Sequence, residues 1–456
     1  MAFPRHIFKA YDIRGLVEGE LSEALAYGIG RAFVVFLKER GVPLANKRIV
    51  AGYDMRVSSI PFHTQMVRGM TDEGMDVVNI GLVSTPLFNF ACANYPEHAG
   101  GIMVTASHNP AEYNGFKITM GNGLPIGRDS GMDRIRDLVE AGNFAPVEKK
   151  GTVSDRSVLA DYTKRIFELV KPDQIKPLKC FIDAGNGMAK ATTPEVLKEL
   201  PVTVEYLYLE PDGTFPNHEA NPLKVETLKD LQKKVVDTGA DFGFAFDGDA
   251  DRIGVVDNQG NVVDASFVAT FIGLEVLRDH PNALMLYDLR SSQIVRETWE
   301  SHGAKVDMTM VGHALIKKMM KEKGATFASE LSLHLYYHDI YDLECSDLSL
   351  LYLLRFLSRE QKSLSELVLP LKKYFHSGEI NYMIQDKEGV MKKIEEHYKK
   401  EAQEVSHLDG VWMRFEWGWL SVRASNTEPV LRLNLEAMTE EEMRKKVEEV
   451  RGLVEK

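Results

Sequence analysis

The sequence predicts an α/β protein in which three similar α/β domains are followed by a smaller α+β domain. Its 456 residues exceed what one hydrophobic core supports, since domains typically contain roughly 100–150 residues. Short apolar runs alternate with amphipathic segments along most of the chain, and this alternation is typical of βαβ units. Beyond residue 371 the pattern changes to strand-like segments with two helices.

In the first domain, apolar runs at Arg48–Gly52 and Gly101–Thr105 alternate with amphipathic segments at Glu20–Arg40 and Pro61–Glu73. The alternation restarts in two further domains with apolar runs at Leu178–Asp183, Ala240–Phe246, Ala283–Leu289 and Ala325–Phe327. In the last domain we predict strands at Ile380–Ile384, Gly410–Trp419, Ser421–Ala424 and Leu431–Glu436, and helices at Val390–Glu404 and Glu440–Lys456. Polar connectors near 150–155 and around 260, and the change of pattern near 371, place the four domains at residues 1–150, 151–258, 259–370 and 371–456.

Composition and charge indicate a globular protein and argue against nucleic-acid binding. Apolar residues make up 44% and charged residues 27%, the balance of an ordinary globular protein. The formal charge of −12 repels polyanions, so nucleic acid is not an expected partner. An anionic small substrate would need a local concentration of cations and backbone N–H groups.

The cysteines and apolar segments predict a cytoplasmic protein without a membrane anchor. The three cysteines are an odd number for a disulfide framework and are too far apart for a C-x-x-C motif. The first residues lack the apolar region of a signal peptide. The most apolar stretch, Leu348–Leu357, is short and is interrupted by Arg355.

Three carboxylates stand at alternate positions in Asp247–Arg252, directly after the apolar run Phe242–Phe246. A loop of this kind can direct its carboxylates at one hard cation such as Mg²⁺. An EF-hand calcium loop is excluded, because Arg252 and Asn258 stand where that loop needs Gly and Glu. The remaining alternative is a solvated acidic turn, since turns favour Asp and Gly for reasons unrelated to metals.

A second polar loop, Thr105–Pro110, also follows an apolar strand-like run and contains a hydroxyl group, that of Ser107. Lys117 follows on a short strand, and a hairpin would return it toward Ser107 as a proton acceptor. A lysine base near neutral pH needs a lowered pKa, which burial and nearby cations can supply. Taken alone, this loop could equally be an ordinary turn, with Lys117 on the surface.

A third polar loop, Arg423–Pro429, lies between two apolar strands of the last domain. Its guanidinium, two hydroxyls, amide and backbone N–H groups can form a cradle for a phosphate. The same residue types also make ordinary hairpin turns, so both interpretations stay open from composition alone.

Together these segments resemble the phosphoglucomutase/phosphomannomutase family of phosphohexomutases, and the match runs in order along the chain. Phe8–Gly15 is similar to the opening segment of the family. The resemblance implies three α/β/α domains with mixed sheets and a smaller α+β domain, in a heart shape around a central cleft. The catalytic residues that it implies are Arg14, Ser107, His108, Lys117 and Arg252.

The resemblance also implies the cofactors. Ser107 would be the phosphorylated residue and Lys117 the general base. One phosphate oxygen on Ser107 would complete a Mg²⁺ site whose carboxylate ligands are Asp247, Asp249 and Asp251. A hexose 1,6-bisphosphate would serve as intermediate and activator.

The implied substrate-binding residues include a phosphate-gripping loop and a sugar-reading loop. They are Tyr11, Arg290, Gly312, His313, Glu330, Ser332, His334, Arg423, Ser425, Asn426 and Thr427. The sugar-reading loop departs from the family pattern, because Ser329, Leu331 and Leu333 replace residues that are usually Gly, Met and Gly or Ala. Leu333 lacks the backbone freedom of glycine, which leaves the loop's shape and the sugar preference open.

The activity implied is interconversion of hexose 6-phosphate and hexose 1-phosphate, with mannose phosphates preferred and glucose phosphates also accepted. Phosphoglucosamine mutase and a degenerate sugar-phosphate-binding regulator without turnover are the alternatives. A haloacid-dehalogenase-like phosphatase would use Asp247 and Asp249 as an Asp-x-Asp pair. Its motif belongs on the first strand of its domain, however, and requires Thr or Val where Asp251 stands.

Overall fold

The computed structural model describes residues 3–424 and 430–455. They divide into two compact units. The first unit contains Met1–Val263 and Ser332–Leu364, and the second contains Asp264–Leu331 and Ser365–Lys456. No helix in the described part of the chain is long and apolar enough to cross a membrane.

The first unit begins with a six-stranded mixed sheet flanked by four helices. The strands are β1 (Ile13–Leu16), β2 (Arg48–Tyr53), β3 (Asp76–Leu82), β4 (His98–Val104), β5 (Tyr113–Met120) and β6 (Val153–Asp155). The helices are α1 (Glu23–Glu39), α2 (Ser59–Asp72), α3 (Thr85–Asn94) and α4 (Met132–Ala141). The sheet order is β1-β5-β4-β2-β3-β6, in which β5 runs antiparallel to both of its neighbours. Predicted strands and helices therefore appear here with bounds shifted by a few residues.

A four-stranded sheet follows in the same unit. Its strands are β7 (Leu178–Asp183), β8 (Val202–Leu207), β9 (Phe242–Phe246) and β10 (Ile253–Asp257), and its helices are α5 (Leu159–Leu169), α6 (Thr193–Leu197) and α7 (Lys229–Thr238). The order is β10-β9-β7-β8, and only β10 runs antiparallel to its neighbour. The short connection from β9 to β10 consists of the acidic loop singled out in the sequence.

The third region begins in the second unit and returns to the first. In the second unit, β11 (Leu284–Asp288) pairs in parallel with both β12 (Lys305–Thr309) and β13 (Phe327–Ser329). The accompanying helices are α8 (Ala265–Asp279), α9 (Gln293–Ser301) and α10 (His313–Lys323). In the first unit, β14 (Leu335–Tyr337) and β15 (Leu343–Glu344) form an antiparallel pair, and α11 (Ser346–Glu360) follows. The short helix α12 (Leu364–Val368) leads into the last region.

The last region is an antiparallel sheet with two helices. Its strands are β16 (Phe375–His376), β17 (Ile380–Met383), β18 (Glu404–Ser406), β19 (Val411–Phe415), β20 (Gly418–Ala424) and β21 (Val430–Ala437), and its helices are α13 (Lys387–Tyr398) and α14 (Glu440–Val454). The sheet order is β16-β21-β20-β19-β18, and β17 also pairs with β21. Apolar side chains on one face of the sheet form the core with the two helices.

Two predictions for this region are wrong. The segment Gly410–Trp419, expected as one strand, is broken into β19 and β20. Gly418 makes the reversal possible, since its φ is +148° and an added Cβ would lie 1.9 Å from the backbone oxygen of Glu436. The helix expected over Val390–Glu404 ends at Tyr398, and Glu404 begins a strand.

The opposite face of β20 and β21 carries cross-strand polar pairs in register. These are Trp419 with Glu436, Ser421 with Asn434, and Arg423 with Arg432. Glu436 is 1% exposed and accepts hydrogen bonds from the backbone N–H of Gln293 and from Nε1 of Trp419 at 2.9 and 3.0 Å. Burial raises the pKa of Glu436 to about 7, against an ordinary value of 4.5.

This pKa predicts a pH-dependent stability that Glu436→Gln removes. A carboxyl group whose pKa is raised in the folded protein stabilises the fold at low pH and loses that advantage as pH rises from 4.5 through about 7. Between these limits, we expect the wild-type protein to lose roughly 3 kcal/mol relative to the variant. The measurement is the difference in melting temperature between the two proteins across this range. A difference that stays constant with pH contradicts the prediction.

Candidate active site

Ser107 lies in the loop between β4 and β5, and only 3% of its surface is exposed. Its φ is +50°, in the left-handed region that side chains other than glycine rarely adopt. Its Oγ donates to Oδ2 of Asp247 at 3.2 Å and lies 3.2 Å from Nδ1 of His108. Arg14, on β1, donates from Nη1 to Oδ1 of Asn109 in the same loop at 2.8 Å. The structure therefore brings together the residues predicted around the Ser107 hydroxyl.

The acidic loop between β9 and β10 lies directly against this serine loop. The side chains of Asp247, Asp249 and Asp251 are 0%, 0% and 3% exposed, and one oxygen from each lies within 4.8 Å of the others. A Cβ at Gly248 would lie 2.5 Å from the backbone oxygen of Ser107, so glycine permits the close approach of the two loops.

The three buried carboxylates concentrate negative charge in one place, and this favours an additional cation. Burial, together with the charges of Asp251 and Asp249, raises the pKa of Asp247 well above its usual range. Burial also disfavours the charged form of Asp251, but Lys117 and His334 outweigh that effect and hold its pKa well below the usual range. One lysine does not neutralise three carboxylates, so a further cation would stabilise the loop.

Lys117 lies on β5 and was expected to act as a base with a lowered pKa. Its Nζ instead donates to Oδ2 of Asp249 and to Oδ2 of Asp251, both at 2.6 Å. Burial lowers the pKa of Lys117, but the two carboxylates more than offset this and raise it above its ordinary value. In this arrangement Lys117 is a cation held between two carboxylates.

The donor set fits a hard divalent cation. All three carboxylates offer oxygen, which Mg²⁺ prefers. Oδ1 of Asp249 is buried and has no hydrogen-bond partner among the described residues, as expected for an oxygen reserved for a metal. The hydroxyl of Ser107 touches Asp247, so an oxygen attached to this serine could join the same ion.

His334 and Arg252 complete the polar surroundings of the acidic loop. Nε2 of His334 lies 3.1 Å from Oδ1 of Asp251 and 3.3 Å from Nε of Arg252. Nδ1 of His334 lies 2.9 Å from Oγ of Ser332, so two predicted sugar-loop residues contact each other. Burial, Arg252 and Arg14 lower the pKa of His108 to about 2 and keep its ring neutral.

Arg56 is a functional residue that the sequence interpretation missed. It is 2% exposed, and its Nε donates to Oδ2 of Asp54 at 3.2 Å. Its two terminal nitrogens donate to four backbone oxygens of the serine loop and its flank, those of Ser107, Asn109, Pro110 and Tyr113, at 2.9, 2.5, 2.7 and 3.0 Å. One buried guanidinium therefore fixes the backbone that carries Ser107.

Thr85, the first residue of α3, was also missed. Its Oγ1 donates to Oδ2 of Asp249 at 2.5 Å, and its backbone N–H donates to the backbone oxygen of Asp249 at 2.9 Å. Asp54, Arg56 and Thr85 all follow parallel strands of the first sheet. Since the carboxyl ends of such strands meet at one edge, polar residues after β2 and β3 were the available signal.

Among the remaining predicted residues of the second unit, Arg290, Glu330 and Arg423 belong to a charged cluster. Nε of Arg290 donates to both carboxylate oxygens of Asp288 at 3.0 Å, and its Nη2 lies 3.7 Å from Glu330. Nη2 of Arg423 donates to Oε2 of Glu379 at 2.7 Å. Gly312, with φ of +120°, caps helix α10, whose first residue is His313. Ser425, Asn426 and Thr427 lie outside the described residues.

Leu333 keeps a backbone conformation suited to glycine. Its φ is +61°, and its side chain is buried, with 5% exposed. An L-residue in this region costs roughly 1–2 kcal/mol, which the surrounding structure must supply. The substitution therefore changes the side chain in the sugar-reading loop without removing the left-handed backbone. Tyr11, the last predicted substrate residue, precedes β1 and is half-buried.

Comparison with known proteins places these features in one family. Residues 5–146, 160–260 and 266–374 match alpha/beta/alpha domains I, II and III of phosphoglucomutase/phosphomannomutase. Residues 379–453 match the C-terminal domain of the same family. The predicted fold class is confirmed, with three α/β/α mixed-sheet domains and a C-terminal domain built on an antiparallel sheet.

Whole-length relatives agree with the domain matches. The chain is 38% identical over 453 residues to a phosphomannomutase of Methanocaldococcus jannaschii, covering 99% of this chain and 98% of the relative. It is 36% identical over 445 residues to a phosphomannomutase/phosphoglucomutase of Pseudomonas syringae pv. tomato, covering 96% and 93%. A crystal structure of a phosphoglucomutase/phosphomannomutase family protein from Burkholderia thailandensis has a TM-score of 0.90 at 30% identity, covering 99% and 97%.

Replacing Arg56 by lysine should disturb the serine loop far more than the same replacement of a surface arginine. An ammonium group carries three donors and cannot reproduce the planar fork that holds four carbonyl oxygens. If Ser107 accepts a phosphoryl group from a hexose 1,6-bisphosphate, as the family resemblance implies, we expect this step, followed by mass spectrometry, to slow by about tenfold or more. The control is Arg134→Lys, since Arg134 pairs with Glu39 on the surface. Phosphorylation at the wild-type rate in a folded Arg56→Lys protein would refute this role.

Thr85→Val should weaken divalent-cation binding, whereas Thr85→Ser should preserve it. Valine keeps the shape but removes the donor to Asp249, and the loss of such a supporting hydrogen bond typically costs about 10- to 100-fold in metal affinity. Titration calorimetry with Mg²⁺ on the unphosphorylated protein measures the effect without turnover. Equal affinity in the valine and serine variants would show that the hydroxyl does not support the site.

Proposed function

The chain belongs to the phosphoglucomutase/phosphomannomutase family, and we propose that it interconverts hexose 6-phosphate and hexose 1-phosphate through a phosphorylated Ser107. Mannose phosphates are the preferred substrates in this proposal, and glucose phosphates are also accepted. The carrying observation is the 3.2 Å hydrogen bond from the Ser107 hydroxyl to Asp247. It puts a nucleophile beside a buried group of carboxylates suited to a divalent cation.

In the proposed forward reaction, the phosphoryl group of Ser107 passes to O1 of a hexose 6-phosphate. The bond from Ser107 Oγ to phosphorus breaks as the bond from O1 to phosphorus forms, and Ser107 Oγ takes up a proton in place of the one that O1 loses. The resulting 1,6-bisphosphate reorients and returns its 6-phosphoryl group to Ser107, leaving hexose 1-phosphate. Phosphoryl transfer depends chiefly on positioning and on neutralising negative charge, both of which this site can provide.

The chain's own residues divide that work. Arg56 fixes the serine loop through its carbonyl oxygens, and Asp247 positions the Ser107 hydroxyl. Lys117 is held as a cation beside the acidic loop, where it can offset charge on the transferred group. The neutral His108 ring lies 3.2 Å from Ser107 Oγ, within reach of a proton exchanged there.

Mg²⁺ is the cation that we propose for the carboxylates of Asp247, Asp249 and Asp251. Bound there, it would neutralise charge on the phosphoryl group of Ser107. Sugar recognition is proposed for Glu330, Ser332 and His334, and binding of the distal phosphate for Arg423 and the residues that follow it. Tyr11, Arg290, Gly312 and His313 complete the proposed substrate contacts.

Other functions fit the geometry less well. A haloacid-dehalogenase-like phosphatase would need its Asp-x-Asp pair after the first strand of its domain, whereas Asp247 follows β9, the third strand of its sheet along the chain. A binding-only regulator has no use for a buried serine, three carboxylates and Lys117 together. A phosphoglucosamine mutase would share this chemistry and differ only in the sugar.

Loss of the Ser107 hydroxyl should abolish isomerisation. With Mg²⁺ and a catalytic amount of hexose 1,6-bisphosphate, we expect the native protein to isomerise mannose 6-phosphate fastest, then glucose 6-phosphate, ahead of glucosamine 6-phosphate. Ser107→Ala should reduce the rate by about 1,000-fold or more, because the proposed carrier of the phosphoryl group is then missing. The control is Ser301→Ala, at an exposed position on α9.

Each failure of this assay has a distinct meaning. Equal rates in native protein and Ser107→Ala would remove the proposed nucleophile. Release of inorganic phosphate without sugar-phosphate isomerisation would favour a phosphatase. Binding of a sugar phosphate without any turnover, and without phosphate on Ser107 in fresh protein, would favour a regulator.

A further inference from the structure

In the second unit, one carboxylate lies among three arginines. Glu379 accepts from Nη2 of Arg423 at 2.7 Å, and its oxygens lie 3.6 Å from Nη1 of Arg432 and 3.7 Å from Nη1 of Arg290. Arg423 and Arg432 are cross-strand neighbours on β20 and β21, so both guanidinium groups leave the same face of the sheet. Two opposed arginines repel each other unless an anion lies between them.

Glu379 is the acidic partner of Arg423 among the described residues. The Arg423 side chain is 8% exposed, and its Nε is buried without a hydrogen-bond partner in the described part of the chain. Glu379 is more accessible, with 29% of its side chain exposed. The guanidinium of Arg423 is thus buried and incompletely hydrogen-bonded among the described residues, while the carboxylate that pairs with it is partly exposed to solvent.

The cluster is close to electrically balanced before any ligand arrives. Arg290 already bonds both oxygens of Asp288 and lies near Glu330, so its charge is largely offset. A phosphate group carries roughly −1.5 to −2 charge at neutral pH and prefers bidentate contact with arginine. It would compete directly with Glu379 for Arg423 and Arg432.

We propose that Glu379 is an internal anion that occupies the arginines of the distal phosphate site and competes with the phosphate of the substrate for them. The inference rests on the proposed function, in which Arg423 binds the non-reacting phosphate. Arg432, which no sequence motif singled out, becomes a phosphate ligand together with Arg423. The free-energy cost of displacing Glu379 lowers the affinity of the site for the phosphate.

Weaker binding of the phosphate would help two steps of the proposed reaction. The 1,6-bisphosphate must release one phosphate from the arginines before the other can take its place, and the product must leave afterwards. Equal tightening of all bound species would slow those steps without helping phosphoryl transfer. By pairing again with Arg423 as the phosphate departs, Glu379 avoids leaving a buried arginine unpaired.

The test removes the charge of Glu379 and keeps its shape. Inorganic phosphate is titrated into the full-length, unphosphorylated protein with Mg²⁺ present, using native protein and Glu379→Gln. We expect the variant to bind phosphate about three- to tenfold more tightly. In the isomerisation assay, KM and kcat should both fall by a similar factor, because substrate binds better and release is slower.

Controls separate this effect from net charge and from folding. Glu388→Gln removes the same charge at an exposed position on α13 and should leave both measurements unchanged. Arg423→Lys alone should weaken phosphate binding, and in that background Glu379→Gln should give a smaller gain in affinity, since one of the two contested guanidinium groups is then absent. If Glu379→Gln does not fold, Glu379→Asp, which withdraws the carboxylate by one methylene group, should show a smaller gain of the same sign.

Two kinds of result would contradict the role proposed for Glu379. Unchanged or weaker phosphate binding in Glu379→Gln, or in Glu379→Asp where that variant is used instead, overturns the proposal and makes Glu379 a support for the arginines. A rise in KM with constant kcat overturns it as well. The titration needs no turnover, so an inactive native protein would reject the proposed mutase activity while the titration still judged the role of Glu379.

Discussion

The repulsion among three buried carboxylates is the constraint around which the first unit is organised. Asp247, Asp249 and Asp251 are almost fully buried. Burial away from water makes the charged form of a carboxyl group costly. Among the described residues, donors to these three carboxylates include the hydroxyls of Ser107 and Thr85, the ammonium of Lys117 and backbone N–H groups, and a ring nitrogen of His334 also lies against Asp251. These contacts come from several strands and loops, so the charge of one short loop determines how distant segments of the chain meet.

The two loops that meet at this point are held in costly backbone conformations. Ser107 and Ala250 both have positive φ values, of +50° and +60°, although neither is glycine. Conformations of this kind persist only where the surroundings over-determine them. Arg56 supplies that determination for Ser107, because a rigid guanidinium fork bonded to four carbonyl oxygens allows the loop few other shapes. The Ser107 hydroxyl is therefore buried, and its direction is fixed.

Sequence alone predicted what depends on residue type and local order. The alternation of apolar and amphipathic segments predicted the α/β domains, and Asp-x-Asp-x-Asp after an apolar run predicted three carboxylates that converge, as the structure has them. Arg56 and Thr85 were missed because their function arises from partners distant in sequence, such as Ser107 and Asp249. The expected lowered pKa of Lys117 failed for the same reason, since its sign depends on which charges surround the buried ammonium. Gly410–Trp419 was misjudged because its apolar residues continue through a reversal that only Gly418 marks.

Leu333 shows that a residue other than glycine can adopt a left-handed backbone conformation in this loop. Replacing glycine by leucine suggested a changed loop, yet the backbone adopts φ of +61° all the same. A buried leucine side chain gains roughly 1.5–3 kcal/mol from leaving water, which is enough to offset the roughly 1–2 kcal/mol cost of that conformation. The residue can thus keep the shape of the sugar-reading loop while filling space beside Ser332 and His334. A difference in sugar preference can then come from the volume and apolar character of this side chain, acting through its neighbours, without loss of the left-handed backbone at this position.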